Sequence, residues 1–166
     1  MPSSDHDFDT INSLIRTTID SADGYREAAD DATASTYATL FRSRANERDE
    51  IAARLQEFVT ARGGEAVTGG SVSAGLHRAF LNLKDAVTGN DDAAVIAEVE
   101  RGEDHIKAKF ESARADSALS GDARALVDSS YVTVRQGHDQ MRDLKHATQD
   151  NDNADTPVPP TGSGLL

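Results

Sequence analysis

The sequence predicts an all-α fold, a four-helix bundle in which one long crossover connection carries a short helix of its own. Three observations carry this. Apolar residues recur three and four apart over long stretches, strand-like alternation is scarce, and the connection between the second and third stretches is itself amphipathic. A chain of 166 residues with 37% apolar content suits one domain, whose core must come from residues 7–148.

The first helix is expected over residues 7–32, with Phe8, Ile11, Ile15, Ile19, Ala22 and Ala29 on one stripe. The second, over residues 34–62, carries Tyr37, Leu40, Phe41, Ile51, Leu55, Phe58 and Val59. It stops at Gly63-Gly64, where glycine can take the left-handed cap conformation. Residues 73–88 form the crossover helix, with Leu76, Phe80, Leu83 and Val87 in register. The third helix, residues 91–116, opens at Asp91-Asp92, which can cap its free amides, and aligns Ile96, Val99, Ile106, Phe110 and Ala113. The fourth, residues 121–148, opens near Gly121-Asp122 and shows Val127, Val134, Met141 and Leu144. Residues 149–166 combine acids and Asn with Pro and Gly and have almost nothing to bury, so they read as a disordered acidic tail.

Connection lengths set the topology. A helix of about 28 residues is roughly 42 Å long, and a crossover helix of about 24 Å with extended ends can traverse that length. The first-to-second and third-to-fourth joins are tight, so those pairs run antiparallel. The long connection lets the second and third run parallel, as in ferritin-like folds; the alternative makes the short segment a fifth bundle helix.

Composition excludes several functions. A formal charge of −12 repels the nucleic-acid backbone and anionic membrane faces, so neither nucleic acid nor membrane is an expected partner. The absence of cysteine removes disulfides, thiolate nucleophiles and Cys-based metal sites, which leaves carboxylates and imidazoles as metal ligands, suited to iron, manganese or calcium. The polar, acidic start and the lack of any stretch of roughly 20 apolar residues point to a cytoplasmic address.

At about 100° per residue, polar groups falling on the apolar stripes can be located by arithmetic. Arg44 and Arg48 lie within roughly 20° of the second helix's stripe centre, and Glu47 about 80° off it. Glu103 sits about 40° from Val99, with Glu100 nearer the boundary, and His138 about 40° from Val134. On the first helix Arg26 points inward, Asp30 lies about 60° from Ile15, and Asp20 faces out. The leading expectation is a buried polar network of Arg44, Arg48, Glu103 and His138, in which guanidinium and carboxylate satisfy each other as a fork. The alternative is a reduced iron or manganese site with Asp30, Glu103 and His138 as ligands and Tyr25, Glu100 and His77 as accessories. A full di-iron centre fails, because such bundles need Glu-x-x-His pairs and the residue three before His138 is Arg135. Gly24, Gly102 and Gly137 suggest close backbone approach, the last two directly before Glu103 and His138.

Several residues also carry a resemblance. They are Asp20, Gly24, Tyr25 and Ala28-Ala29, then Arg48 and Leu55, then Gly63-Gly64 and the GSVSAGLHRAFLNLK segment with Leu76, His77 and Arg78. Arg101-Gly102-Glu103-Asp104, His138-Asp139 and Leu144 complete the set. Over residues 9–147 the chain resembles a bacterial four-helix-bundle family known only as a domain of unknown function and grouped with ferritin-like proteins. Ser21, where that family often has Gly, and Phe80, where it often has Trp, depart from it. The resemblance implies a ferritin-like bundle linked to stress response, with no established enzymatic activity and no confirmed ligands.

The leading functional expectation is therefore a non-enzymatic, stress-associated cytoplasmic protein that acts by association. A homodimer or other homo-oligomer is expected through apolar flank positions such as Leu14 and Leu126. The competing class is a ferritin-like metal binder or oxidase. A third is an adaptor whose acidic surface and tail bind a basic protein partner.

Overall fold

The computed structural model describes residues 4–71 and 92–154. They form four α-helices, α1 (Ser4–Asp31), α2 (Ser35–Ala61), α3 (Asp92–Ala115) and α4 (Gly121–Ala154), with no strand among the described residues. The crossover helix expected at residues 73–88, and with it His77, lies outside the described residues, as do residues 155–166 of the expected tail. Residues 149–154 of that tail instead continue α4. Once a helix exists each added residue gains one backbone hydrogen bond, so a helix can run on through the exposed Asp150 and Asn151.

The helix directions follow from contacts at their ends. His6 Nε2 lies 2.8 Å from an Asp116 carboxylate oxygen, and Asp7 accepts a hydrogen bond from the Ser120 amide at 2.9 Å. At the opposite end of the bundle Asp92 accepts from the amides of Thr33 and Ala34 at 2.7 and 3.0 Å. Thus α1 opposes α3, and because α1 and α2 are joined by a tight turn, α2 and α3 run in the same direction. The most extensive packing is within the pairs α1 with α2 and α3 with α4; α1 also packs on α3, and α4 more lightly on α2.

Asp92 corrects the expected cap. Ala34 stands at the N-cap of α2 and has no side-chain oxygen to offer, so the first amides of that helix lack a local acceptor. The Asp92 carboxylate, from α3, accepts from the Thr33 and Ala34 amides just ahead of that helix and places a negative charge at its positive end. It thus ties the start of its own helix to the turn that leads into α2, while Asp91, the other residue of the expected cap, lies outside the described residues.

At the far end of α2 the two glycines act differently. Gly63 takes φ of 81°, the left-handed conformation a β-carbon disfavours. A β-carbon on Gly64 would come 2.8 Å from Val59 and 2.9 Å from the Phe8 ring, so the chain there needs the close approach. From that corner the backbone turns back along α1. The Asn12 side chain donates to the Glu65 carbonyl and accepts from the Val67 amide, both at 3.0 Å, and the Ser71 hydroxyl donates to Asp20.

Two apolar clusters fill the bundle. One holds Ile15, Ile51, Leu55, Ile106, Phe110 and Val134 among others; the second gathers around Tyr25, Phe41, Ala45, Ile96, Val99 and Met141. Leu14, expected to mediate self-association, is buried in the first, while Leu126 packs against it and stays partly exposed. The exposed large apolar side chain among the described residues is Val132.

Candidate functional site

A layer of charge separates the two clusters, and each helix contributes one residue to it. The positions follow from the three-and-four repeat. Arg48 continues Phe41 and Ala45 on α2, Glu103 stands between Val99 and Ile106 on α3, Tyr25 follows Ala22 on α1, and Gly137 follows Val134 on α4. Such spacing turns all four inward, whatever their polarity. Arg48 is 0% exposed, Glu103 1% and Tyr25 3%.

Arg48 Nη2 donates to both Glu103 oxygens, at 2.8 Å to Oε1 and 2.9 Å to Oε2. The Tyr25 hydroxyl donates to the same Oε1 at 2.6 Å. A single nitrogen thus bridges the carboxylate, in place of the two-nitrogen fork expected. The reason is visible at Gly137, where a β-carbon would sit 2.6 Å from Nη2 and 3.4 Å from Glu103 Oε2. The guanidinium presses that edge into the notch left by the missing side chain. Its Nε and Nη1 are buried without a hydrogen-bond partner among the described residues; Nη1 lies 3.6 Å from a Glu47 oxygen.

Electrostatics keeps the guanidinium charged. Burial alone would favour neutral arginine, but the adjacent Glu103 carboxylate reverses this and holds the Arg48 guanidinium above its ordinary value. Burial, then the Glu103 charge, raises the Tyr25 hydroxyl well above the usual 10.0, so it serves as a neutral donor. Removing either charge would strand the other in an apolar interior.

The remaining expected residues lie elsewhere. Arg44 sits at the edge of α2, bonded to both Glu47 oxygens at 2.8 and 2.9 Å and to Gln140 across the α2 and α4 seam. His138 turns away from Glu103. Its Nε2 is 2.7 Å from Asp104 and its Nδ1 3.2 Å from Asp139, which ties α3 to α4 near the surface. Asp30, with its side chain 78% exposed, pairs loosely with Arg42 at 3.5 Å. Arg26 is likewise outside, bonded to Asp23 and Asp49. Glu100 receives Lys145 Nζ at 3.1 Å. Asp20, expected to face solvent, accepts from Ser71, and burial raises its carboxyl above the usual value despite the lowering effect of that bond. Gly102, expected to permit close approach, has nothing within 4 Å of where a β-carbon would stand.

Asp30, Glu103 and His138 therefore do not converge, which corrects the expected metal-ligand set. The flanks of a stripe diverge when helices pack: a residue about 60° from its centre faces either a neighbour or water, according to where the neighbour lies. Near the end of α1 it faces water. The layer itself does not fit a dication, since the guanidinium holds both oxygens of the carboxylate a metal would need. Among the described residues no group of three or more His, Cys, Asp or Glu side chains could hold a metal ion. Tyr25, expected only as an accessory, is central instead; its place on the stripe after Ala22 was the signal that could have found it.

A small cavity adjoins the layer between α1 and α3. Thr17, Asp20, Ser21, Gly24, Val99 and His105 are among its lining residues, with Tyr25 and Glu103 at its inner end. Its volume of about 20 Å³ has room for one water, far short of the hundreds of Å³ a small-molecule site occupies.

No curated protein matches the chain. Residues 7–116, spanning α1, α2 and α3 with Tyr25, Arg48 and Glu103, match the family model described as "Domain of unknown function (DUF2383)". With 7–116 covering more than half of the 166 residues, the chain belongs to this family.

Proposed function

We propose that this chain is a non-enzymatic, ferritin-like bundle that works in the bacterial cytoplasm by association, in a stress-linked role, with its interior neutralised by arginine rather than by metal. One observation carries the reading. Arg48 and Tyr25 take up the Glu103 carboxylate, the inward-facing acid of α3, leaving it no free coordination for iron or manganese. The parallel course of α2 and α3 supports the ferritin-like topology, while the stress link rests on the resemblance of the residues quoted above.

Leu14 is taken up by the core, while Leu126, partly buried, keeps an apolar edge that a second copy of the chain could cover. The formal charge of −12 favours a basic protein as partner, in a complex that weakens as salt screens it. Self-association through the apolar flank at Leu126 is the second form of the proposal, and light scattering at high micromolar concentration separates the two.

Elemental analysis of protein grown in iron- and manganese-supplemented medium tests the core of the reading. Substoichiometric metal is expected. Iron or manganese bound one per chain, and lost in Glu103→Gln while the helical signal persists, would overturn it.

A further inference from the structure

Charge is spread along the outer faces of α1 and α2, where Asp9, Arg16, Asp23 and Glu27 stand exposed on the first and Arg42, Glu50, Arg54 and Glu57 on the second. The outer face of α4 is different. Ala125, Ser129, Val132 and Gln136 are exposed, none is charged, and their spacing of four, three and four places them within an arc of about 60° at 100° per residue. That stripe runs about 16 Å along the helix. Val132, 57% exposed, is the exposed large apolar side chain among the described residues, and it stands near the middle of the stripe.

The borders of the stripe are ordered as well. On one side lie Leu126, which packs on the core and stays partly exposed, and the half-buried Thr133. On the other lie Asp128 and Arg135, seven residues apart, with side chains 48% and 65% exposed. Asp128 accepts from Arg114 Nε at 2.7 Å and Arg135 lies 3.8 Å from Asp139, contacts that leave both charges at the surface.

A four, three, four repeat is the seam pattern by which one helix lies against another. A basic partner would find no charge on this seam to pair with, and over the rest of the molecule a net charge of −12 opposes the approach of a second copy. On this face two copies can meet with only small or neutral side chains between them. The flanking charges select the direction. Asp128 and Arg135 are equidistant from the point midway between Tyr131 and Val132, so a two-fold axis there sets each Asp128 level with Arg135 of the second copy when the helices run antiparallel. A parallel pair would set like charges level instead.

We propose that the outer face of α4 is the surface on which two copies of this chain associate, antiparallel, with Val132 at the centre and Asp128 paired with Arg135 across the axis. The inference rests on the self-association form of the function above and gives it a surface, with Leu126 at the border.

Sedimentation equilibrium of the full chain in low salt, from about 10 μM to about 1 mM, tests it. The wild type is expected to form a reversible dimer. Val132→Asp, which would bring two carboxylates together at the axis, is expected to raise the dissociation constant at least about ten-fold. Asp128→Arg and Arg135→Asp, each alone, are expected to weaken the dimer about three-fold or more, whereas an equimolar mixture of the two should associate as the wild type does, because each copy then supplies the charge the other lacks. All four positions of the substitutions and the axis lie on an exposed helix face, and circular dichroism checks that each variant keeps the wild-type helical signal. A wild type that stays monomeric at the highest concentration would overturn this inference together with self-association. A wild-type dimer that Val132→Asp leaves intact would overturn the inference alone, and so would a mixture that associates no better than its two components.

Discussion

The two apolar clusters on either side of Arg48 are built from different materials. Towards the N-terminus of α1, branched aliphatics and the Phe58 and Phe110 rings interlock from all four helices. Towards its C-terminus, Ala28, Ala29 and Ala45 let α1 and α2 approach closely around Phe41, whose ring centroid lies 6.1 Å from that of Tyr25 and 6.5 Å from that of Tyr37. Large side chains bury more area each, at roughly 1.5 to 3 kcal/mol apiece. The first half is therefore held by burial, whereas the second leans on directional contacts at its two borders: the charged layer and the turn held by Asp92.

The largest test of that contrast is Glu103→Ala, which leaves Arg48 buried without a counter-charge and is expected to cost about 3 to 5 kcal/mol in urea unfolding. The double variant Arg48→Met/Glu103→Leu should recover most of this loss, because an apolar layer of similar volume has no charge to desolvate. If the double variant is as unstable as the single, the layer acts through more than its charge.

Next comes Gly137→Ala. Alanine favours a helix by about 1 kcal/mol over glycine, but here its β-carbon would meet a guanidinium pinned by Glu103, so a net loss of about 1 to 3 kcal/mol is expected. The same change at Gly102, where the space is open, should stabilise by about 0.5 to 1 kcal/mol. Thermal melts of the two variants therefore move in opposite directions.

A smaller effect is expected at the other border. Asp92→Ala removes the acceptor for two amides and should cost about 0.5 to 2 kcal/mol. Hydrogen exchange should show the loss at the start of α2, in the alanine-rich half, and leave amides around Leu55 protected.

The gentlest probe is alkaline pH. Tyr25 has its folded ionisation raised above 10.0, so its contribution to stability is fully present below that value and is lost as pH climbs through the folded value. Ultraviolet titration should show the Tyr25 phenol ionising only as the bundle unfolds. Ionisation near 10 in the folded protein would mean that its bond to Glu103 is weak.

Much of this was legible in the residues. Phe41, Leu55, Val99 and Phe110 repeat at three and four, and that repeat alone marks helices and their inner faces, so Arg48 and Glu103 could be recognised as inward before any fold was known. Their neighbours could not be sorted the same way. His138 and Asp30 both lie off the centre of their stripes, where a few tens of degrees decide between a seam and solvent. Tyr25 was visible on its stripe, but that its hydroxyl would reach Glu103, 78 residues away, depends on how α1 and α3 are set side by side.

By itself, then, the sequence determined the helices, the general extent of each, the all-α class and the presence of opposite charges in the core, because those follow from periodicity along one chain. Only the tertiary structure decided which charge meets which: that Arg48 bridges Glu103 with one nitrogen, that Gly137 makes room for it, that His138 joins Asp104 instead, and that Asp92 binds the turn ahead of α2. Hydrogen bonds between helices depend on their relative rotation and rise to within about an ångström, and no repeat within a single helix encodes that.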